Sequence, residues 1–264
     1  MKADIIWLNT VDSTNDEARR QISDIDNLSV LSVREQRAGR GQRGNTWSSE
    51  PGQNLTFSIV LKFSLPGNTE EILPPVMAYD QFVLTEIASI SAVNFLCRHG
   101  IEAKIKWPND IYTGRRKICG MLIENSVRGN YLSSSIIGIG LNINQKNFDV
   151  TITNPTSMAL CKPEQKFDIH ICLEEFIEIF KEKLVRYLTY QSEEERTEAY
   201  ADLRSAYLSN LWLLNEPALF HEAGTCRTFT GIIRGISPLG RLQIENTEKG
   251  ELREFAFKEI SYML

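Results

Sequence analysis

Four arginines and three glycines alternate in one segment, Arg34-Glu-Gln-Arg-Ala-Gly-Arg-Gly-Gln-Arg-Gly-Asn-Thr-Trp47. Glycine lets the backbone approach a ligand closely, because no Cβ blocks the way. Arginine carries a permanent, forked positive charge that matches the geometry of carboxylates and phosphates. The segment therefore predicts a loop that binds an anion.

The spacing Gly39-x-Gly41-x-x-Gly44 also matches the dinucleotide-binding fingerprint. That fingerprint requires a helix directly after the glycines. Here residues 45–54 are turn formers and residues 55–63 are rich in β-formers, so the glycines connect two strands and the Rossmann interpretation fails. A kinase glycine loop lies between strands, but the other kinase motifs are missing from the sequence. A flexible, solvated hairpin tip remains an alternative.

A second group of polar residues follows in Lys106-Trp-Pro-Asn-Asp110, with Lys117 seven residues beyond Asp110. If these strands lie beside the glycine loop in one sheet, one face gathers four cations around a single carboxylate. Those cations are Arg40, Arg43, Lys106 and Lys117. Such a face suits a nucleoside triphosphate with magnesium. No Ser or Cys nucleophile stands beside a His, so we expect electrostatics to carry a phosphoryl or nucleotidyl transfer.

The composition of the 264 residues, with 42% hydrophobic and 24% charged, is typical of a soluble globular protein with one large domain and a smaller one. A net charge of −5 argues against a general nucleic-acid binder. No segment resembles a membrane span or a signal peptide, and the five scattered cysteines form no Cys-x-x-Cys pair. These features predict a cytoplasmic protein with reduced thiols and no membrane or nucleic-acid partner.

The apolar pattern predicts helices and strands throughout the first 210 residues. Strands are expected at residues 5–8, 28–33, 55–63, 103–107, 115–124 and 131–139, and helices at 16–22, 76–97, 168–190 and 193–208. Residues 145–167 show little periodicity, which predicts a loop. Ser13 and Thr14 precede the first predicted helix, where hydroxyls commonly serve as N-caps. The sequence therefore leaves two roles for these hydroxyls, helix capping and ligand binding.

The tail differs in pattern from the rest of the chain. Short β-rich runs at 211–214, 228–236, 241–245 and 252–257 are separated by Gly and Pro. This spacing predicts a small β-barrel or sandwich. We therefore expect two domains, over residues 1–210 and 211–264.

Taken together, these motifs resemble the biotin protein ligases, which are similar in fold to class II aminoacyl-tRNA synthetase cores. The matching segments are Asp12-Ser-Thr-Asn15, the loop from Gln36 to Trp47, Lys106-Trp-Pro-Asn-Asp110, Arg116-Lys-Ile-Cys-Gly120 and Gly138-Ile-Gly-Leu-Asn-Ile-Asn144. They follow the family's order and cover the chain to about residue 160. The resemblance implies an α+β catalytic domain, with a mixed sheet packed with helices, and a C-terminal SH3-like β-barrel.

The resemblance also implies a ligase that uses ATP and Mg²⁺ to convert biotin into biotinyl-5′-AMP and then transfers biotin to a lysine of a biotin carboxyl carrier protein. Biotin would contact Ser13, Thr14, Asn15, Gln36, Gly39, Arg40, Gly41, Trp47, Lys117, Gly120, Gly138 and Leu141. ATP or the adenylate would contact Arg40, Arg43, Lys106, Asn109, Asp110, Lys117 and Asn142. Lys117 and Arg40 would be catalytic, and Asp110 would bind the metal.

The sequence departs from the family pattern at Gln42 and Asn45, where basic residues are common, so Arg43 is the expected phosphate ligand. The chain starts in the catalytic region, without a winged-helix segment, which argues against a repressor role. A homodimer is possible. The rivals are a lipoate ligase, whose Arg-Arg-x-x-Gly-Gly-Gly motif is missing, and a non-catalytic biotin-binding regulator, which would not need Lys117 and Asp110. The tail is expected to assist the second half-reaction.

Overall fold

The computed structural model describes residues 3–65, 73–225 and 227–263, without the side chain of Arg43. Two sheets organise this part of the chain, one of seven strands and one of five. Five helices join them. This is the predicted α+β architecture, with a mixed sheet packed with helices and a smaller β-rich unit at the C-terminal end.

The larger sheet has the strand order β1-β2-β3-β7-β6-β5-β4. Its strands are β1 (Ile5–Val11), β2 (Val30–Gln36), β3 (Leu55–Lys62), β4 (Lys104–Lys106), β5 (Asp110–Thr113), β6 (Arg116–Arg128) and β7 (Tyr131–Leu141). Strands β1 and β2 are parallel, and every other neighbouring pair is antiparallel. Because β2 and β3 pair, the glycine loop connects two neighbouring strands, as the sequence predicts.

The helices are α1 (Thr14–Gln21), α2 (Phe82–Arg98), α3 (Met158–Cys161), α4 (Ile169–Leu188) and α5 (Glu193–Ser209). Helices α2 and α4 cover one face of the larger sheet, where Phe57 of β3 meets Phe176 of α4 with ring centroids 5.3 Å apart. No described helix combines the length and the apolar character that a membrane span requires. Four cysteines are free thiols, and the fifth, Cys226, lies outside the described residues.

The two faces of this sheet differ because side chains alternate along each strand. Phe57 pairs with Ile139, and both point into the helical core. One residue along, Thr56 pairs with Gly140. The second face therefore carries glycines and small polar residues at its centre, which leaves room for something other than a helix.

Helix α2 begins six residues later than the predicted start at residue 76. The backbone of Val76 accepts a hydrogen bond from Leu132 N, and Ala78 N donates to Asn130 O. These bonds tie residues 76–78 to the turn region between β6 and β7, so the helix starts only at Phe82. The predicted loop over residues 145–167 contains one helical turn, α3.

The smaller sheet has the order β11-β10-β9-β8-β12 and is antiparallel throughout. Its strands are β8 (Pro217–Glu222), β9 (Arg227–Ile236), β10 (Leu242–Asn246), β11 (Leu252–Phe255) and β12 (Ile260–Tyr262). Only a tight turn, in which Glu259 N donates to Ala256 O, separates edge strands β11 and β12, so the sheet must curl. Among the described residues no ladder joins them, so the predicted barrel is open.

The prediction of a strand at residues 211–214 is wrong. Three strands were not predicted, namely β8 and β12 of this sheet and β5 of the larger sheet. Leu211 and Leu214 make isolated bridges to Ile105 and Ile233, with a turn between them. Strand β8 starts at a proline and contains no β-branched residue. Its place in the sheet is set by pairing with β9 and β12, which local sequence does not encode.

Two side chains hold the smaller sheet against the larger unit. The indole of Trp107 donates to Gly240 O at 2.9 Å. Arg204 of α5 donates to Ser237 O at 2.7 Å and also pairs with the buried carboxylate of Glu86 on α2. Both anchors meet the turn between β9 and β10, so that turn is fixed relative to the helices.

We expect Glu86→Gln to destabilise the protein by about 2 kcal/mol, because it leaves the Arg204 guanidinium without its counter-charge. The effect is smaller than for a fully buried pair, since the Arg204 side chain is 23% exposed. Urea unfolding followed by circular dichroism measures it. Asp202→Asn is the matched control, because the Asp202–Arg186 pair is more than half exposed on both sides. Equal losses in the two variants would contradict this interpretation.

Candidate active site

A cavity of about 260 Å³ lies on the glycine-rich face of the larger sheet. Four parts of the fold enclose it: the start of α1, the glycine loop, the sheet, and the end of the C-terminal sheet. Its lining includes Ser13, Thr14, Asn15, Gln36, Arg40, Gly41, Trp47, Thr56, Lys106, Asn109, Asp110, Lys117, Gly120, Gly138, Gly140 and Tyr262. The structure thus brings most of the predicted site residues together around one space.

Glycines in β6 and β7 form the floor of this cavity. A Cβ at Gly138 would overlap the side chain of Asn15, and one at Gly140 would overlap the indole of Trp47. A Cβ at Gly120 would crowd the end of the Lys117 side chain. The glycines therefore allow three predicted ligand-binding side chains to lie flat against the sheet.

Polar groups from the start of α1 form one end of the cavity. Ser13 is the N-cap of α1 and accepts from Asp16 N at 3.4 Å, so the capping role holds while Ser13 also lines the cavity. The backbone N–H of Thr14 donates to Gln36 Oε1 at 2.8 Å. Asn15 accepts from Ser58 Oγ at 2.6 Å. This end is a fixed array of amides and hydroxyls.

The glycine loop is closed by its own backbone. Arg40 and Thr46 form an antiparallel bridge, and Trp47 N donates to Gly39 O at 3.0 Å. A Cβ at Gly39 would overlap the backbone of Trp47 and the amide of Gln36. Gly39 therefore serves loop packing, which places the Trp47 indole over the floor.

Arg40 lies between two carboxylates that the sequence did not place here. Its guanidinium is 2.7 Å from Asp16 and 3.1 Å from Glu124. Burial works to raise the pKa of Glu124, but hydrogen bonds from Asn15 and Arg40 outweigh burial and lower it. The expectation of one carboxylate among the cations is therefore wrong, because Asp16 and Glu124 also lie at this loop.

Lys117 and Asp110 form an ion pair of 2.7 Å at the other end of the cavity. The Lys117 backbone is held by the loop after β7, since its N–H donates to Asn154 O and its carbonyl accepts from Thr156 N. Both side chains are about 30% exposed, at 30% and 28%. The ammonium is therefore positioned by the fold yet accessible to a ligand.

Lys106 supplies a second ammonium near this end. Its Nζ donates to the hydroxyl of Tyr112 at 3.1 Å and lies 4.6 Å from the centre of that ring. Burial lowers the pKa of Lys106, and the nearby Lys117 charge adds to this while Asp110 opposes it. Two lysines and one carboxylate thus face the same end of the cavity.

Four buried polar atoms in the cavity wall have no hydrogen-bond partner among the described residues. They are Gln42 Oε1, Trp47 Nε1, Thr56 Oγ1 and the hydroxyl of Tyr262. Buried polar groups are nearly always paired in folded proteins. Their clustering in one cavity indicates a ligand that carries polar groups of its own.

Three predicted residues lie outside the cavity lining: Gly39, Leu141 and Asn142. Leu141 is fully buried in the core and pairs with Leu55, on the side of the sheet that faces the helices. Asn142 donates to Thr156 O, while its Oδ1 is buried without a partner among the described residues. The side chain of Arg43 lies outside the described part of the structure.

Several lining residues were not predicted from the sequence. Thr56 is the second residue of β3, and its alternation with Phe57 was the only signal that it faces away from the core. Ile260, Ser261 and Tyr262 come from β12 and Phe257 from the turn before it, where no motif marks them. Trp107, a residue that is 5% exposed, contributes to both the core and the cavity wall.

Comparison with known proteins gives consistent matches. Residues 7–142 match the biotin/lipoate A/B protein ligase family. The biotin–[acetyl-CoA-carboxylase] ligase of Paracoccus denitrificans is 28% identical over 234 residues, which cover 88% of this chain and 90% of that protein. The bifunctional ligase/repressor BirA of Bacillus spizizenii is 33% identical over 115 residues, or 43% of this chain and 32% of its own length.

Among solved structures, the biotin protein ligase of Aquifex aeolicus in complex with biotin and ATP has a similar fold. Its TM-score is 0.76 at 24% sequence identity, and the match covers 98% of both chains. The similarity thus includes the C-terminal sheet as well as the larger unit.

Proposed function

The chain belongs to the biotin/lipoate A/B protein ligase family, and we propose that within this family it is a biotin protein ligase. In the first step the carboxylate of biotin attacks the α-phosphorus of ATP, which forms biotinyl-5′-AMP and releases pyrophosphate. In the second step a lysine amine of a carrier protein attacks the carbonyl of this mixed anhydride. An amide forms, the proton leaves the amine, and AMP departs.

The observation that carries the proposal is the division of one cavity into two chemically different ends. Amides and hydroxyls around Ser13, Thr14 and Gln36 suit a neutral cyclic urea, which both donates and accepts hydrogen bonds. Lys106 and Lys117 suit a carboxylate and phosphates. The glycine floor joins the two ends, so a molecule with a ring at one end and a carboxylate at the other fits along it.

Lys117 is the proposed electrostatic catalyst. Two anions, the biotin carboxylate and the α-phosphate, must come together before the bond forms, and their repulsion opposes the reaction. An ammonium held between them offsets that repulsion and stabilises the charge that develops in the transition state. Lys117 is paired with Asp110, so phosphate oxygens would compete with a carboxylate that already holds it in place.

Magnesium would accompany ATP at this end. The described residues contain no cluster of three His, Cys, Asp or Glu side chains able to form a complete metal site. Mg²⁺ commonly binds one or two carboxylates, with substrate phosphates and water as its other ligands. Asp110 is the carboxylate of the cavity lining and would be the protein ligand. Bound Mg²⁺ would neutralise phosphate charge.

The proposed acceptor is a biotin carboxyl carrier protein or domain, consistent with the name of the Paracoccus denitrificans relative. The cytoplasm is the proposed compartment, since all four described cysteines are free thiols. Lipoate activation is the rival within the same family.

ATP–pyrophosphate exchange tests the proposed function. The purified protein is assayed with ATP, Mg²⁺ and labelled pyrophosphate, and either biotin or lipoate is the one variable. We expect exchange with biotin and none above background with lipoate. Exchange that depends on lipoate alone would replace the proposed substrate, and binding of biotin without exchange would favour a non-catalytic regulator.

We expect Arg40→Gln to shorten the retention of biotinyl-5′-AMP about 10-fold while slowing its formation less. Loss of a charge-assisted hydrogen bond to a phosphate costs about 1.5–3 kcal/mol, and a loosened loop admits water to the anhydride. Release of labelled adenylate, followed by rapid filtration, measures this. Arg37→Gln is the control, because the Arg37 side chain is 70% exposed and pairs with Glu35 outside the cavity. A variant that retains adenylate as long as the parent contradicts the role of Arg40.

A further inference from the structure

The ammonium of Lys106 is surrounded by aromatic rings from three separate parts of the chain. The centre of the Tyr112 ring lies 4.6 Å from Nζ, that of Tyr262 5.1 Å and that of Trp212 5.9 Å. Tyr112 belongs to β5, Trp212 to the segment after α5, and Tyr262 to β12. A cation within about 6 Å of a ring centre is attracted by the negative face of the ring.

Tyr262 is held in this place by its own sheet. Strand β12 pairs with β8, with Tyr262 opposite Phe220, and Met263 N donates to Leu219 O at 2.9 Å. The ring of Tyr262 contacts the rings of Trp212 and Phe220, with centroids 5.5 and 5.3 Å apart. The rings of Tyr112, Trp212 and Tyr262 thus form a cage around the Lys106 ammonium. The position of Tyr262, which completes the cage, depends on the C-terminal sheet as a whole.

We propose that Tyr262 is a positioning residue for the use of ATP: its ring holds the Lys106 ammonium at the phosphate end of the cavity. The proposal rests on the proposed function. It gives the C-terminal sheet a part in the first half-reaction, whereas the sequence suggested a part in the second. Both Tyr262 and Lys106 line the cavity.

The cage matters because it restricts the Lys106 side chain, which is otherwise flexible. Four rotatable bonds leave the ammonium many positions, and fixing it costs conformational entropy at the moment a phosphate binds. Rings on several sides, together with the bond to Tyr112, restrict the ammonium before ATP arrives. Losing one ring should therefore weaken ATP binding and leave the distant biotin end unaffected.

The test compares KM values for ATP and for biotin in pyrophosphate exchange with the full chain. We expect Tyr262→Leu to raise the KM for ATP about 10-fold and the KM for biotin less than 2-fold, consistent with a desolvated cation–π contact. Tyr262→Phe keeps the ring and should stay within about 2-fold of the parent. Phe229→Leu is the control, since Phe229 packs on Phe220 and Phe255 within the same sheet and does not contact Lys106.

A double-mutant cycle separates a role through Lys106 from a general loss of packing. In a Lys106→Gln background, Tyr262→Leu should cause no further rise in the KM for ATP. An additional 10-fold rise, or equal effects of Tyr262→Leu and Phe229→Leu, overturns the proposal. So does an equal loss in Tyr262→Phe, which would assign the effect to the hydroxyl.

Fluorinated phenylalanines at position 262 provide a second test that does not depend on the folding of Tyr262→Leu. Fluorine weakens the negative face of the ring with little change in its shape, so the KM for ATP should rise stepwise from phenylalanine to its monofluoro and trifluoro forms. A flat series overturns the proposal. Absence of biotin-dependent exchange in the parent protein would instead refute the proposed function, so the two failures are distinguishable.

Discussion

Lys117→Ala is expected to slow adenylate formation about 100- to 1,000-fold, the usual cost of removing one preorganised donor from developing charge. The structure supports a large effect because the Lys117 ammonium lies in the cavity, 2.7 Å from Asp110, and its backbone is fixed by hydrogen bonds to Asn154 and Thr156. The Lys117 side chain is therefore positioned before the substrates bind. Single-turnover formation of biotinyl-5′-AMP from saturating biotin and ATP measures the chemical step.

Arg116→Ala is the matched control for this loss of charge. Arg116 precedes Lys117 in β6, but it is exposed and does not line the cavity, so its removal should change the rate less than about 2-fold, as for surface charges in general. Lys117→Arg keeps the charge but places it in a planar fork on a longer side chain, and we expect partial activity. Near-parental adenylation by Lys117→Ala would refute the assignment of Lys117 as the electrostatic catalyst.

Gly140→Ala is expected to weaken biotin binding about 10- to 100-fold. The added methyl group would overlap the Trp47 indole, and overpacking of this kind typically costs about 1–3 kcal/mol. The indole must move away from the floor, which disturbs the wall formed by the glycine loop. Isothermal titration with biotin in the absence of ATP measures the change directly.

Gly235→Ala is the control for the same substitution in a strand of the C-terminal sheet. A Cβ there would meet only the end of the Gln243 side chain, so biotin affinity should stay within about 2-fold of the parent. A Gly140→Ala variant with parental affinity would show that the position of the Trp47 indole over Gly140 is not needed for binding.

The motifs that the sequence singled out are local, and the structure brings them to one cavity. The segment around Ser13, the glycine loop, the Lys106–Asp110 segment and the Lys117 segment all reach one cavity. Each is a short run in which residue type and spacing are themselves informative. The strands of the larger sheet other than β5 were also predictable, because alternating apolar runs between turn formers are typical of strands.

Strand pairing in the C-terminal sheet was harder to predict from the sequence. Residues 211–214 are apolar, yet they make only isolated bridges, whereas the less apolar β8 is a full strand. Whether such a short run forms a strand depends on which neighbouring segments pair with it, and β propensity is only a weak guide to this pairing. The open edge between β11 and β12 likewise follows from pairing.

By itself the sequence determined the chemistry of the chain: which side chains are present, in what order, and hence the family to which it belongs. Only the tertiary structure decided which partners these side chains meet. Arg40 pairs with Glu124, 84 residues away, and Lys106 is enclosed by Tyr262 of the last strand. Alternation along a strand states which residues share a face, but the packing of α2 and α4 decided that Leu141 faces the core and Thr56 the cavity. Contacts between distant segments arise from the fold as a whole, because many weak interactions select one arrangement together.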